Sequence, residues 1–130
     1  MRELEGLVET FAAEQRLATD DKARALIVLE ELLTNLSKYG YSNQSEREGI
    51  AEVTLELEST RLTIEFSDDG EAFDPFAKTT HDLDQAPESR PIGGLGLHMV
   101  RALADEASYS WRDGRNFVRL SWRMSQHRTR

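Results

Sequence analysis

The amino-acid sequence predicts a two-layer α/β (α+β) sandwich, in which a mixed, mostly antiparallel sheet of four strands is covered on one face by about three helices. Three observations predict this fold class. Apolar residues recur at helical spacing near the N-terminus, alternate at strand spacing in two later hairpins, and return to helical spacing between those hairpins. With 130 residues and no internal repeats, residues 1–130 are expected to form a single domain.

The first two elements are predicted to be helices. The first covers about residues 2–16, and its apolar stripe fits either packing against the sheet or a homodimer interface. A longer second helix is capped by Thr19 or Asp20 and stops at Gly40, a natural C-terminal glycine. The apolar residues of the first helix are Leu4, Leu7, Val8 and Phe11. Those of the second are Ala25, Leu29, Leu32, Leu33 and Leu36.

Two β-hairpins and a third helix follow a polar loop over residues 41–49. The first hairpin turns at residues 58–61, and the second turns at Asp113-Gly114. The third helix lies between the hairpins, from about Gly96 to Asp105. In the first hairpin the face predicted to be buried carries Ala51, Val53, Leu55, Leu57, Leu62, Ile64 and Phe66. In the second it carries Ala107, Tyr109, Trp111, Val118, Leu120, Trp122 and Met124.

The composition excludes several classes of function. The chain has no cysteine, which excludes disulfides, thiolate metal sites and thiol catalysis. A net charge of −8 argues against a nucleic-acid partner, because such partners are bound through clustered Lys and Arg. No apolar run approaches the ~20 residues that span a bilayer, and the acidic N-terminal segment does not resemble a secretory signal. We therefore expect a cytoplasmic protein with no membrane partner.

A first group of candidate site residues lies on the second helix: Glu31, Asn35, Lys38 and Tyr39. At 100° per residue the first three fall within about 60° of one another, with Tyr39 beside them and the leucine stripe almost opposite. Asn35 could supply an oxygen to magnesium and Lys38 a charge to phosphates, while Glu31 could act as a general base. A solvated helix face with ordinary polar residues explains the same pattern.

A second group, Asp68 to Pro75, begins where the second strand stops alternating. An aspartate at a strand end can accept a hydrogen bond from an exocyclic amine such as that of adenine. Gly70 permits close approach of a ligand to the backbone. An acidic turn explains the segment equally, because Asp-Gly is a common turn dipeptide.

A third group, Ile92 to Leu97, is rich in glycine and opens directly into the third helix. The free amides of a first helical turn form an anion site. The segment fits neither GxxxxGK[ST] nor a dinucleotide-binding GxGxxG after a strand. Residues 76–92 before it have no periodicity, and so long a loop in a compact domain is usually functional or disordered.

The order of these segments resembles the GHKL ATPases, which include the ATP-binding domains of gyrase, heat-shock chaperones and histidine kinases. EELLTNLSKYGY is similar to their N box, SDDGEAFDP to their first glycine box and GGLGLHMV to their second. The resemblance covers about residues 20–124. Within the superfamily the chain looks most like the bacterial anti-sigma-factor serine/threonine kinases. The resemblance implies the Bergerat fold and the cofactors ATP and Mg²⁺.

The resemblance also implies roles for particular residues. Asn35 is expected to bind Mg²⁺, Glu31 to be the catalytic carboxylate and Asp68 to receive the adenine amino group. Residues 76–92 would form the ATP lid, and backbone amides of the second glycine box would lie near the phosphates. The expected cofactor-binding residues are Asn35, Lys38, Tyr39, Asp68, Gly70, Ala72, Phe73, Gly93, Gly94, Leu95, Gly96 and Leu97.

The sequence departs from the family pattern at three points. Ala72 stands where a glycine is common, and Tyr39 stands where a histidine is frequent. Lys38-Tyr39 is closer to the histidine-kinase form of the N box. The family also usually has a strand before its first helix, so either the sheet edge lacks that strand or the start of the protein lies upstream.

Three functions compete at this stage. The first is a serine kinase that binds a sigma factor and phosphorylates a small anti-anti-sigma (STAS-type) partner, with Glu31 as the base. The second is the ATP-binding half of a histidine kinase, for which His81, His98 and His127 are the phosphoacceptor candidates in this chain and are each expected to be non-catalytic. The third is a protein-binding module in which nucleotide only orders the lid.

Overall fold

The computed structural model describes residues 2–37, 49–76 and 100–124. Two helices and four strands follow in the order α1 (Arg2–Gln15), α2 (Thr19–Asn35), β1 (Ala51–Glu58), β2 (Arg61–Asp68), β3 (Glu106–Arg112) and β4 (Arg115–Arg123). The strands form one sheet in the order β1-β2-β4-β3, and each neighbouring pair is antiparallel. This arrangement confirms the predicted fold class. No helix in these ranges is long and apolar enough to cross a membrane.

The two helices lie where the periodicity predicts them, but the cap of α2 differs. Ala18 occupies the cap position in an extended conformation and makes no side-chain cap hydrogen bond. The predicted cap at Thr19 or Asp20 is therefore wrong, and both residues lie inside the first turn. There the carboxylates of Asp20 and Asp21 stabilise the helix through its positive N-terminal end. The predicted stop at Gly40 falls outside the described residues.

The hydrophobic core lies between the helices and one face of the sheet. Its fully buried members include Val8 of α1, Leu29 of α2 and Trp122 of β4. Within the predicted stripe of α1, Leu4 and Phe11 pack against this core, whereas Leu7 is exposed. Most of the stripe therefore covers the core of the same chain. A homodimer interface on α1 stays a prediction.

Both hairpins form, and their turns follow from the sequence. Asp113 and Gly114 have φ of 53° and 74°, the two positive values that a two-residue type I′ turn requires. Alternation is clear in the central strands β2 and β4 and weaker in the edge strands. Ala51 and Trp111 were predicted to be buried, yet both are exposed because they lie at the ends of the edge strands β1 and β3.

Two further contacts connect the helices to the sheet. The buried carboxylate of Asp21, in the first turn of α2, accepts a hydrogen bond from Trp122 Nε1 at 3.3 Å. Residues 100–103 are helical, and Val100 is fully buried in the core. The described part of the predicted third helix therefore packs as expected. The contact at Asp21 fixes the start of α2 on β4, and so constrains where the other end of α2 lies.

Candidate functional site

A pocket opens at the end of the sandwich where α2 ends, β2 ends and β4 begins. Its empty volume is about 400 Å³, including the open mouth. Apolar side chains line most of it: Leu32, Leu36, Phe66, Phe73, Pro75 and Val118. Its polar residues are Asn35, Asp68, Glu71 and Asn116. Apolar walls with a few placed polar groups are the usual construction of a small-molecule site.

Asn35 lies on the buried side of α2. The sequence placed it almost opposite the leucine stripe, and that placement is wrong: only 6% of Asn35 is exposed, and it lines the pocket beside Leu32. Val28, which is fully buried, was left out of the predicted stripe. Val28, Leu32 and Asn35 have i, i+4, i+7 spacing, so they share one helix face. A solvated helix face therefore does not explain Asn35.

Glu31 and Asn35 are joined one helical turn apart. Asn35 Nδ2 donates to the backbone oxygen of Glu31 at 2.9 Å and to its Oε1 at 3.2 Å. Within the described residues, no donor contacts Asn35 Oδ1, and this oxygen suits a ligand contact at the pocket wall. Glu31 is half-buried and does not line the pocket wall. Its carboxylate is held against the pocket residue Asn35.

Asp68 is the buried carboxylate of the pocket. Its Oδ1 accepts two hydrogen bonds of 2.9 Å, from the backbone N–H of Gly70 and from Asn116 Nδ2. Across residues 2–37, 49–76 and 100–124, no donor contacts its Oδ2. Since no buried side-chain oxygen of the described residues lacks a hydrogen-bond partner, Oδ2 opens onto the pocket, where it suits a ligand that brings an N–H donor. An exocyclic amine has that chemistry.

Asn116, in the second hairpin, lines the pocket but is not among the predicted site residues. Only 4% of it is exposed, and β-sheet pairing places it directly opposite Asp68. Its Nδ2 also donates to the backbone oxygen of Glu71 at 2.9 Å, and its Oδ1 accepts from the backbone N–H of Phe73 at 3.0 Å. One signal was available in the sequence. Asn116 alternates in phase with Val118 and Leu120, which marks it as a polar residue on the buried face.

Tyr109 completes the hydrogen-bonding of Asn116. Its hydroxyl donates to Asn116 Oδ1 at 2.5 Å from the neighbouring strand β3. Burial raises the pKa of Tyr109 above its ordinary value, against the lowering effect of the Phe73 N–H, and the charges of Asp74 and Asp68 raise it further. A tyrosine of ordinary pKa, near 10, is already protonated at neutral pH, and the raised pKa of Tyr109 extends that range upward. The hydroxyl is therefore a stable donor to Asn116.

The remaining predicted site residues divide into two groups. Gly70 is buried and bonded to Asp68, and Phe73 lines the pocket with 43% of its surface exposed. Ala72 is exposed and does not line the pocket. The following lie beyond the described residues: Lys38, Tyr39, His81, His98, His127, residues 77–92 of the predicted lid, and the second glycine box with Gly93, Gly94, Leu95, Gly96 and Leu97.

The oxygen atoms at this end of the pocket suit a magnesium ion that arrives with phosphates. In the described ranges, no group of three or more His, Asp or Glu side chains could enclose a metal. Mg²⁺ usually keeps several waters and takes one or two protein oxygens together with phosphate oxygens. The free Oδ1 of Asn35 at the pocket wall fits that role, with the Glu31 carboxylate beside it.

Comparison with known proteins agrees with the observed fold. The family model described as "Histidine kinase-like ATPase domain" matches residues 1–122. The serine-protein kinase RsbW of Staphylococcus epidermidis is 34% identical over 94 residues, and that of Staphylococcus aureus strain JH9 is 32% identical over 95. Each match covers 68% of this chain and 58% of the relative. The chain thus spans less than two thirds of these relatives.

Solved structures share the fold at low sequence identity. The catalytic domain of histidine kinase ThkA, in a nucleotide-free form, has a TM-score of 0.56 at 18% identity, covering 95% of this chain and 90% of that one. Acinetobacter baumannii histidine kinase AdeS has a TM-score of 0.54 at 22% identity, covering 81% and 48%. The family match, which includes every element of the sheet, is the stronger finding. The chain belongs to the GHKL-type family of histidine kinase-like ATPase domains.

Proposed function

We propose that this chain is a serine/threonine protein kinase of the anti-sigma-factor type, which binds Mg·ATP in the pocket and phosphorylates a serine of a STAS-type anti-anti-sigma partner. The observation that carries ATP binding is Asp68, a buried residue in a mostly apolar pocket, one of whose carboxylate oxygens meets no donor from the described residues. The serine-kinase part rests on the relatives named serine-protein kinase.

Asp68 favours adenine over guanine. Adenine carries an exocyclic amine at the ring position where guanine carries a carbonyl oxygen. The amine donates to the free Asp68 Oδ2, whereas the carbonyl would bring a second acceptor against a buried charge, which costs free energy. Apolar side chains such as Phe66 and Val118 line the same pocket and suit the faces of a purine ring.

Asn35 and Glu31 supply the polar groups for the phosphate end. Asn35 Oδ1 would hold the magnesium ion, whose charge offsets the negative charge of the phosphate oxygens. The Asn35 amide N–H donates to Glu31 Oε1 and so orients the carboxylate. The second oxygen of Glu31 is then available to accept a proton.

The transfer exchanges one O–P bond for another. The serine Oγ of the partner forms a bond to the γ-phosphorus, and the bond from that phosphorus to the oxygen bridging the β- and γ-phosphates breaks. The serine proton passes to the carboxylate of Glu31, which acts as the general base. The products are phosphoserine on the partner and ADP. Loss of ADP and phosphoserine then resets the site.

Partner switching follows from this chemistry. A domain of this kind would hold a sigma factor and release it when an unphosphorylated STAS partner binds instead. Phosphorylation adds close to two negative charges to the partner at neutral pH, which weakens a contact with an acidic protein of net charge −8. The partner serine therefore reports both the activity and the state of the switch.

Transfer from γ-labelled ATP to a serine-bearing STAS protein tests the proposal. We expect acid-stable phosphoserine on the partner, and we expect Glu31→Gln to abolish transfer while ATP binding is retained. Glu30→Gln is the matched control, because Glu30 is the exposed neighbour on the same helix. ATP binding without transfer to any partner would favour the binding module, and acid-labile phosphohistidine would favour the histidine kinase. Failure to bind any adenine nucleotide with Mg²⁺ would overturn all three functions.

A further inference from the structure

One side chain of β4 connects the segment after β2 to the sheet. Asn116 donates from Nδ2 to Asp68 Oδ1 and to the backbone oxygen of Glu71, each at 2.9 Å, and a longer contact of 3.5 Å reaches the oxygen of Gly70. Its Oδ1 accepts from the N–H of Phe73 and from the Tyr109 hydroxyl. Both ends of the amide are therefore fully engaged.

We propose that Asn116, held by Tyr109, is a positioning residue that fixes residues 68–73 in the nucleotide-binding conformation before the nucleotide arrives. This inference rests on the proposed function, because the ligand is the adenine nucleotide. Asn116 acts through Asp68 and through the backbone of the first glycine box. We call the set of hydrogen bonds that Asn116 makes to Asp68, Glu71, Phe73 and Tyr109 the Asn116 clamp.

The Asn116 clamp holds the residues that follow the end of β2, which strand pairing no longer holds. The ladder between β2 and β4 ends at the pair Asp68–Asn116, and residues 71–76 form no strand or helix. The Asn116 side chain is buried at this edge, and it can pair with backbone groups that have left the ladder. Asn116 supplies hydrogen-bond partners to Glu71 and Phe73 within a single side chain, and so holds a segment that would otherwise lose order.

The two donors on Asn116 Oδ1 define the direction of its amide. Phe73 N–H and Tyr109 O–H both lie on the oxygen side, so the NH₂ group faces Asp68 and the carbonyls of residues 70 and 71. The Tyr109 hydroxyl carries its proton at neutral pH, since the ordinary pKa of tyrosine is about 10 and burial raises that of Tyr109 further. The amide therefore occupies Asp68 Oδ1 and leaves Oδ2 as the oxygen presented to a ligand.

Loss of the clamp should weaken nucleotide binding without slowing the chemical step. A pocket that is only fractionally in its binding form has an apparent affinity lowered by that fraction. The clamp contacts neither Glu31 nor Asn35 within the described residues. Its removal should therefore raise the KM for ATP and leave kcat close to that of the wild type.

Three substitutions should weaken the Asn116 clamp to different extents. Asn116→Thr keeps one polar atom that can reach Asp68, but that atom cannot also serve Glu71 and Phe73. We expect it to raise the Kd and KM for ATP roughly tenfold, with kcat within about twofold of the wild type. Asn116→Asp sets a second carboxylate against Asp68, so its effect should be larger. Tyr109→Phe removes one donor and should give a smaller, roughly threefold effect.

Nucleotide titration, steady-state kinetics and amide hydrogen exchange on the same proteins test the inference. Without nucleotide, the Phe73 amide should be protected in the wild type and lose protection in Asn116→Thr, and Ser108→Ala on the exposed part of β3 should change none of these quantities. A wild type that binds ATP, with an unchanged Kd and a protected Phe73 amide in Asn116→Thr, would overturn this inference alone. A wild type that binds no ATP would overturn the proposed function as well.

Discussion

At the scale of single residues, the pocket depends on how buried polar atoms are satisfied. Asp68 and Asn116 face each other across two strands, and among the residues that the structure describes only one oxygen of the Asp68 carboxylate lacks a donor in this contact. Asn35 is similar: its NH₂ group donates to Glu31, and no donor among the described residues contacts its oxygen. Ligand chemistry can therefore be inferred from the atoms that the protein leaves unsatisfied.

Asp68→Asn should reverse the preference of the pocket between purines. The new amide oxygen can still accept from Gly70 and Asn116, so its NH₂ group takes the place of Oδ2 and meets the adenine amine donor to donor. A hydrogen bond to a charged group contributes about 1.5–3 kcal/mol, so the affinity for ATP should fall roughly ten- to hundredfold. Inosine triphosphate carries an acceptor at that position, so the affinity for it should fall less than the affinity for ATP, or should rise.

Calorimetric titration of both nucleotides measures this change. The matched control is Asp74→Asn, which removes the same charge from an exposed position and keeps the oxygen that accepts from the Phe76 N–H. Its affinity for ATP should stay within about twofold of the wild type. If Asp68→Asn lost affinity equally for ATP and for inosine triphosphate, direct recognition of the adenine amine would be contradicted.

Tyr109 should make stability depend on alkaline pH. Burial raises the pKa of Tyr109 in the folded state above that of the unfolded chain, so the folded protein holds this proton more tightly. Its contribution to stability is present below the unfolded pKa, near 10, and is lost as the pH rises through the folded pKa. Above that range the phenolate can no longer donate to Asn116.

The measurement is the free energy of unfolding by urea between pH 8 and pH 11, compared for the wild type and Tyr109→Phe. Other groups titrate in this range, so the informative quantity is the difference between the two proteins. The wild type should be the more stable at pH 8, and its advantage should shrink above pH ~10. A difference that does not change with pH would show that the Tyr109 hydroxyl is not a buried donor.

At the scale of elements, α2 carries Asn35 to the pocket and is anchored at its opposite end. Asp21 lies in the first turn, where its carboxylate meets Trp122 Nε1 of β4. Asn35 is the last residue of α2, roughly 20 Å farther along the helix axis. A small change in the direction of α2 at Asp21 therefore becomes a larger displacement at Asn35.

Asp21→Ala should lower stability and affect the distant site. Removal of the carboxylate leaves the buried Trp122 N–H without this acceptor, which costs about 1–3 kcal/mol, and it also removes a favourable charge at the helix N-terminus. Chemical denaturation measures the loss. Asp20→Ala, an exposed position in the same turn, should change the free energy of unfolding by less than about 1 kcal/mol. Equal losses in the two variants would show that the contact with Trp122 contributes little.

At the scale of the whole molecule, the sequence predicts what depends on local pattern. Helical spacing, strand alternation and the Asp113-Gly114 turn each lie within a few residues, and the fold class, the four strands and the tight turn at Asp113-Gly114 are confirmed. The contribution of Asn116 to the site is not predicted, because it depends on the strand register that sets Asn116 opposite Asp68. Local sequence patterns do not determine that register. The predicted side of Asn35 on α2 is wrong because the predicted apolar stripe lacks Val28, which is fully buried on the same face as Asn35.

Nucleotide binding should stabilise the whole domain, since a ligand that binds only the folded state raises the free energy of unfolding. At 100 times its Kd, Mg·ATP should add about 2.7 kcal/mol. For a chain of this size that corresponds to a rise in Tm of several degrees, which thermal unfolding monitored by circular dichroism detects. The same concentration of Mg·GTP should give little or no rise, because its base presents an acceptor to Asp68.

Two variants divide this stabilisation between the parts of the site. Glu31→Gln should keep the rise in Tm with Mg·ATP, because Glu31 does not line the pocket and its proposed role is in phosphoryl transfer. Asp68→Asn should lose most of the rise, because the base is no longer held. If both variants lost the rise equally, Glu31 would contribute to binding and the separation of binding from transfer at this site would be wrong. Retention of the full rise in Asp68→Asn would instead place the base elsewhere than beside Asp68.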